Sequence, residues 1–142
     1  LTTLNDYDRE EFLDAFHTLW VVGNDEGKKL YGDRYKSLYY FASIHNDAGG
    51  NPVCDEFHRN VGFLHNHVFL GAFLEQSLQL VNPRTALHYW EYTQTFSNNS
   101  HFLNGHMKNQ LDGGQWTELM TDRYFGQSDP YTGEIITGRW AH

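Results

Sequence analysis

Three histidines, His45, His58 and His67, are spaced so that they could bind one metal ion. Neutral imidazole is the commonest metal ligand among protein side chains. Three imidazoles without a thiolate or carboxylate suit copper or zinc, and the spacing does not choose between them. The alternative for each histidine is an ordinary core position where both ring nitrogens are hydrogen-bonded. Finding two of the three on helix faces that point to the core favours the metal site.

Two predicted helices position these residues. His45 continues an apolar stripe near the end of a helix predicted over 33–46, and His67 lies within the stripe of a helix predicted over 64–80. His58 falls between them, just before the later helix begins. We expect these two helices to pack antiparallel, as in a helical bundle.

A first helix is predicted over residues 8–22, opened by an Asp-x-x-Glu capping box at Asp8 and Glu11. Residues 23–27 are polar and glycine-rich and are predicted to form a loop. The aromatic stretch 85–92 is expected to be a short buried segment, either extended or a single turn. Turn signals dominate beyond it, so the C-terminal third should be rich in loops.

The composition excludes several classes of function. The 142 residues are enough for one domain, and a net charge of −8 argues against nucleic acid and anionic membranes as partners. No apolar run is long enough to span a membrane. Cys54 is the only cysteine, which excludes a disulfide within the chain and leaves it free or bonded to another chain. Asn98 begins a possible glycosylation sequon, which predicts a secreted or extracellular protein.

Residues 58–92 resemble the first copper-binding motif of tyrosinases, catechol oxidases and molluscan haemocyanins, the type-3 copper family. That motif has a His, a second His nine residues later preceded by Phe-Leu-Pro-Trp, a Glu eight further on, and then Ala-Leu-Pro-Tyr-Trp-Asp. The corresponding residues here are His58, His67, Phe63-Leu64, Glu75 and Ala86-Leu87-His88-Tyr89-Trp90-Glu91. His45 fits the place of the family's first ligand, which ends the preceding helix.

The resemblance implies a mainly α fold, a helical bundle of the tyrosinase central-domain type. Residues 1–142 would be its N-terminal (CuA) half, a partial domain whose second copper-binding half lies beyond residue 142. The complete domain would hold two copper ions, one of them bound by this chain. The implied roles are copper ligation by His45, His58 and His67, a pocket wall at Phe63, and support of the imidazoles by His65 and Glu75.

The implied function is the oxidation of phenols or catechols to quinones with O₂. The expected partners are O₂, phenolic small molecules, and the remaining half of the domain or another chain. His65-Asn66, Val68 and His88 stand where the family has Pro-Trp, Arg and Pro. These departures favour an alternative, an extracellular structural or interaction module without catalysis. Oxygen carriage of the haemocyanin type is a third possibility.

Overall fold

A computed structural model describes residues 1–50, 53–89 and 119–141, and these parts of the chain are mainly helical and contain no β-strand. The chain divides into two compact units, Asn5–Leu87 and a second formed by Leu1–Leu4 with His88–His142. No helix in the described part is long and apolar enough to cross a membrane. The described elements are α1 (Asp6–Val21), α2 (Asn24–Tyr31), α3 (Leu38–Gly49), α4 (Gly62–Val81) and a 3₁₀ turn at Gly138–Trp140.

Helix α1 begins two residues before its predicted start because Asn5 caps it. The Asn5 side chain accepts the Asp8 N–H at 2.9 Å and donates to the Asp8 carboxylate at 2.7 Å. The cap satisfies one backbone N–H of the first turn, three residues upstream of the capping box predicted at Asp8 and Glu11. It is not itself a capping box, because the Asp8 carboxylate accepts the side-chain amide of Asn5 rather than its backbone N–H. The predicted apolar face of α1, Phe12, Phe16, Leu19 and Trp20, is buried at Phe12 and Leu19, whereas Trp20 is 42 % exposed; Leu13 and Ala15 complete the buried side.

The prediction of a loop at residues 23–27 is wrong, because α2 begins at Asn24. Acidic residues occupy its first turn and lysines its last turn, which matches the helix dipole. Gly27 is there for close packing rather than to break the helix. A Cβ on Gly27 would lie 1.9 Å from Cε1 of Tyr35, whose buried ring covers this turn.

Helix α3 begins at Leu38, five residues later than predicted, because Ser37 is its N-cap and accepts the Tyr40 N–H. The preceding backbone is bonded elsewhere, and the Lys36 N–H donates to the Ser77 hydroxyl of α4 at 2.9 Å. At the other end of α3, His45 meets His67. Residue numbers rise along α3 while those of its contacts fall along α4, so the two helices run antiparallel, as predicted.

The segment after α4 is held to both α1 and α4. The Glu11 carboxylate accepts the Asn82 side-chain amide at 2.6 Å and the Arg84 guanidinium at 2.7 Å. The Asn82 hydrogen bond is the main cause that lowers the pKa of Glu11; desolvation opposes it and the Arg84 charge adds to it. On α4, Glu75 accepts the Leu87 N–H at 2.9 Å.

The prediction of a buried segment over 85–92 is correct only at its start. Thr85 is buried, but Tyr89 is 78 % exposed, and residues 90–92 lie outside the described part of the chain. The predicted sequon at Asn98 lies outside it as well.

Residues 119–141, the described part of the predicted loop-rich C-terminal third, form turns around a small aromatic centre, as predicted for them. The Trp140 indole N–H donates to the Tyr124 carbonyl at 2.9 Å, and both side chains are buried. A single bridge between Ser128 and Ile135 closes a turn in this range.

Replacing Ser77 by alanine should test the antiparallel tie between α3 and α4. The change leaves the Lys36 N–H without its acceptor, and we expect a loss of about 1–2 kcal/mol in the free energy of unfolding. Denaturant unfolding measures it, with Gln76→Ala, an exposed neighbour, as the control. Equal stability of the two variants would contradict the assigned role of Ser77.

The pH dependence of stability should report the Glu11 contacts. Since folding lowers the pKa of Glu11, the ionised carboxylate stabilises the protein above the ordinary Glu pKa of about 4.3, and this contribution disappears as pH falls through the lowered value. We expect Glu11→Gln to melt below the wild type at neutral pH, with the difference vanishing in acid. Parallel Tm–pH curves for the two proteins would show that the carboxylate contributes nothing.

Candidate metal centre

The structure brings His45, His58 and His67 together at the end of the α3–α4 pair. One ring nitrogen of each lies within 4.8 Å of those of the other two, and all three side chains are half-buried. His45 lies on α3, His67 in the first two turns of α4, and His58 on the loop between them. The histidine, cysteine, aspartate and glutamate side chains of the described residues contain this one group whose ligand atoms are close enough to hold a metal ion.

The nitrogen spacing fits the coordination shell of a small metal ion. Imidazole nitrogens bind such ions at 2.0–2.1 Å, so two ligands at a tetrahedral angle lie about 3.4 Å apart. The Nε2 atoms of His45 and His67 are separated by 3.3 Å. A pair of nitrogens 4.8 Å apart, the largest separation in the cluster, would have to approach by about 1.4 Å to reach the tetrahedral spacing.

A backbone carbonyl fixes the protonation of His67. Its Nδ1 lies 2.7 Å from the carbonyl oxygen of Phe63, one turn earlier in α4. A carbonyl can only accept a hydrogen bond, so the proton of the neutral ring must be on Nδ1. The lone pair is then on Nε2, the atom that faces His45. Such a bond from the non-ligating nitrogen is typical of metal-binding histidines.

A carboxylate does the same for His58. The His58 Nδ1 lies 3.1–3.2 Å from the two oxygens of Asp55, and one of these oxygens, Oδ1, accepts the backbone N–H groups of Phe57 and His58. Burial raises the pKa of Asp55, but the hydrogen bond from the His58 backbone, the charge of its imidazole and the Phe57 N–H outweigh it, so the net pKa is lowered. A carboxylate can only accept, so in a neutral His58 ring the proton lies on Nδ1 and the lone pair on Nε2.

The loop that carries His58 is fastened to both ligand-bearing helices through Glu56. The Glu56 N–H donates to the Ala48 carbonyl in α3 at 2.9 Å, and the Glu56 carbonyl accepts the Asn66 amide of α4 at 2.7 Å. Arg59, directly after His58, has a φ of 58°, a conformation uncommon for a residue with a side chain. The chain therefore changes direction directly after His58.

Aromatic rings line the cluster on two sides. Phe57 is buried, and its ring meets the His45 and His67 rings edge to face, with centroids 5.0 and 5.3 Å away. The Phe63 ring lies 4.8 Å from that of His67 and is 52 % exposed. The cluster is therefore covered by a buried apolar ring on the side of Phe57 and is partly open to solvent on the side of Phe63.

Two further predicted site residues make their contacts elsewhere. Glu75, expected to orient an imidazole, accepts the Leu87 N–H instead and so holds the segment after α4. His65 is exposed and stacks on Phe69, with centroids 6.1 Å apart. Cys54 is exposed.

The groups that support the imidazoles are Asp55 and the Phe63 carbonyl, and neither was identified from the sequence. The signal for Asp55 was its place three residues before His58, where an aspartate side chain can accept the following backbone N–H groups. A backbone carbonyl carries no residue-specific signal.

Comparison with known proteins supplies no relative, since no protein-family model, curated protein or solved structure matches this chain. The resemblance to type-3 copper proteins therefore rests on the residues of the motif alone.

A methyl group at Gly49 should disturb the cluster, because it would contact the His58 ring and lie 3.2 Å from the Cβ of Phe57. A Cβ there would lie 2.8 Å from Cε1 of His58, so the ring must move. We expect Gly49→Ala to weaken metal binding about 10- to 100-fold, the range for changes just outside a ligand shell. Calorimetric titration with Zn²⁺ measures it, and Gly23→Ala, where a Cβ meets nothing within 4 Å, is the control. Unchanged affinity in Gly49→Ala would place the ion away from His58.

Proposed function

We propose that His45, His58 and His67 bind one copper ion through their Nε2 atoms. The convergence of the three imidazoles is the observation that supports this most strongly. Three imidazole nitrogens suit copper and zinc alike, and the preference for copper comes from the resemblance of the surrounding residues to the type-3 copper motif.

Protonation favours a metal ion over ordinary hydrogen bonding among the three rings. Neutral His58 and His67 rings would both carry their proton on Nδ1, which leaves a lone pair on each Nε2, and the Nε2 of His67 faces that of His45. Lone pairs brought together in this way repel unless a proton or a cation lies between them. A single proton on His45 would satisfy one such pair, whereas one cation satisfies all three nitrogens.

We further propose that the centre belongs to a copper oxidoreductase that oxidises phenols or catechols to quinones with O₂. Bound copper would supply the electron-transfer and oxygen-binding chemistry. The chain's own residues hold the ion, keep its buried side dry through Phe57, and offer the half-exposed Phe63 ring beside His67 to a planar aromatic substrate. A second copper site would come from the remaining half of the domain or from another chain.

A structural or interaction module without catalysis is the second candidate. It is favoured by the contacts and exposure of the residues that replace the family's residues in the motif. Asn66 fastens the loop through Glu56, and His65 and Val68 are exposed. In this reading the histidine cluster stabilises a scaffold.

Metal titration of the protein tests the centre itself. We expect one Cu²⁺ per chain, and a loss of affinity beyond about 100-fold in His67→Ala, since outer-shell changes alone cost 10- to 100-fold. His65→Ala, which removes an exposed imidazole two residues away, should bind as the wild type does. A wild type that binds no copper, or equal losses in both variants, would overturn the proposed centre.

Catechol oxidation then separates the enzyme from the scaffold. The chain loaded with a single copper should not oxidise catechol, whereas a longer form of the protein that carries a second copper site should. His67→Ala should abolish the activity of that longer form. If the longer protein binds two copper ions and does not oxidise catechol, the domain is a structural module instead.

A further inference from the structure

Asp55 is placed to do more than cap a turn. Its carboxylate contacts the His58 Nδ1 at 3.1–3.2 Å and at the same time accepts two backbone N–H groups, from Phe57 and His58. The backbone bonds fix the carboxylate relative to the loop, and the bond to Nδ1 fixes the ring relative to the carboxylate. The orientation of the His58 ring is thereby set from within four consecutive residues.

This arrangement matters because His58 is the one member of the cluster outside a helix. His45 and His67 are positioned by α3 and α4, and the His67 ring is further held by the Phe63 carbonyl. A loop histidine has no such support, and its neutral ring can carry the proton on either nitrogen. With the proton on Nε2 it could not bind a metal at that atom.

We propose that Asp55 is a positioning residue of the metal centre, which holds His58 as the Nδ1–H tautomer and directs its Nε2 toward His45 and His67. This role rests on the proposed metal site and deepens it. A carboxylate behind a ligand imidazole orients the ring and makes it a stronger donor. Asp55 therefore prepares the third ligand before any ion arrives.

The substitution Asp55→Asn tests this role with little change in shape. The remaining amide oxygen can still accept the backbone N–H groups, so the turn is retained, but the amide NH₂ can donate to Nδ1 and favour the proton on Nε2. Asp47→Asn is the matched control, because it removes one exposed negative charge two residues from His45. It separates positioning from the general attraction of an acidic surface for cations.

Two measurements follow. The ¹⁵N chemical shifts of the metal-free protein, taken well above the ordinary imidazole pKa of about 6.5, report the tautomer. We expect His58 to be the Nδ1–H form in the wild type and in Asp47→Asn, and to shift toward Nε2–H in Asp55→Asn. Titration with Zn²⁺ should show a loss of affinity of about 10- to 100-fold in Asp55→Asn and a change within roughly twofold in Asp47→Asn, as for a screened surface charge.

A double-mutant cycle keeps the result specific to His58. If Asp55 acts through His58, Asp55→Asn should add no further loss of Zn²⁺ affinity when His58 is already alanine. Additive losses, an unchanged tautomer, or equal losses in Asp47→Asn and Asp55→Asn would overturn the role of Asp55 alone. A wild type that takes up no Zn²⁺ would overturn the proposed centre and this role with it, whatever the tautomer.

Discussion

The approach of α3 to α4 at His45 and His67 is the contact on which the rest of the site depends. The Nε2 atoms of these residues lie 3.3 Å apart, and the helices are tied at their other end by the Ser77 hydroxyl and the Lys36 N–H. Because the helices run antiparallel, the loop between them must cross from the end of α3 to the start of α4. That crossing brings His58 to the same place as the two helical histidines.

Periodicity predicted the helices that have a continuous apolar face, and it failed where tertiary contacts decide the structure. The predicted 8–22 and 64–80 correspond closely to α1 and α4. Helix α2 was missed because Gly27 suggests a break, although its missing side chain makes room for Tyr35. The start of α3 was misplaced although the sequence carries its N-cap signal at Ser37. Tyr35 and Lys36 are bonded to other elements, and no local pattern reveals those contacts.

The spacing of the three histidines along the chain was enough to predict the candidate site. Two histidines on predicted apolar stripes and a third between them predicted the convergence that the structure has. The prediction that these stripes face the core is wrong at Tyr39, Leu64 and Val68, which are exposed. The identity of the ion and the chemistry remain a hypothesis that rests on the motif. The supports of the rings were not predictable, since the Phe63 carbonyl belongs to the backbone and the role expected of Glu75 falls to Asp55.

Because His58 lies on the loop between α3 and α4, metal binding would change the stability of the folded unit. An ion held by His45, His58 and His67 joins α3, the loop and α4 at one point, like a cross-link among three parts of the chain. Since the unfolded chain does not hold these nitrogens together, every increment of binding free energy adds to the stability of the folded unit. At a free-ion concentration 100 times the Kd this amounts to about 2.7 kcal/mol, so the supply of metal would raise the unfolding temperature of the unit.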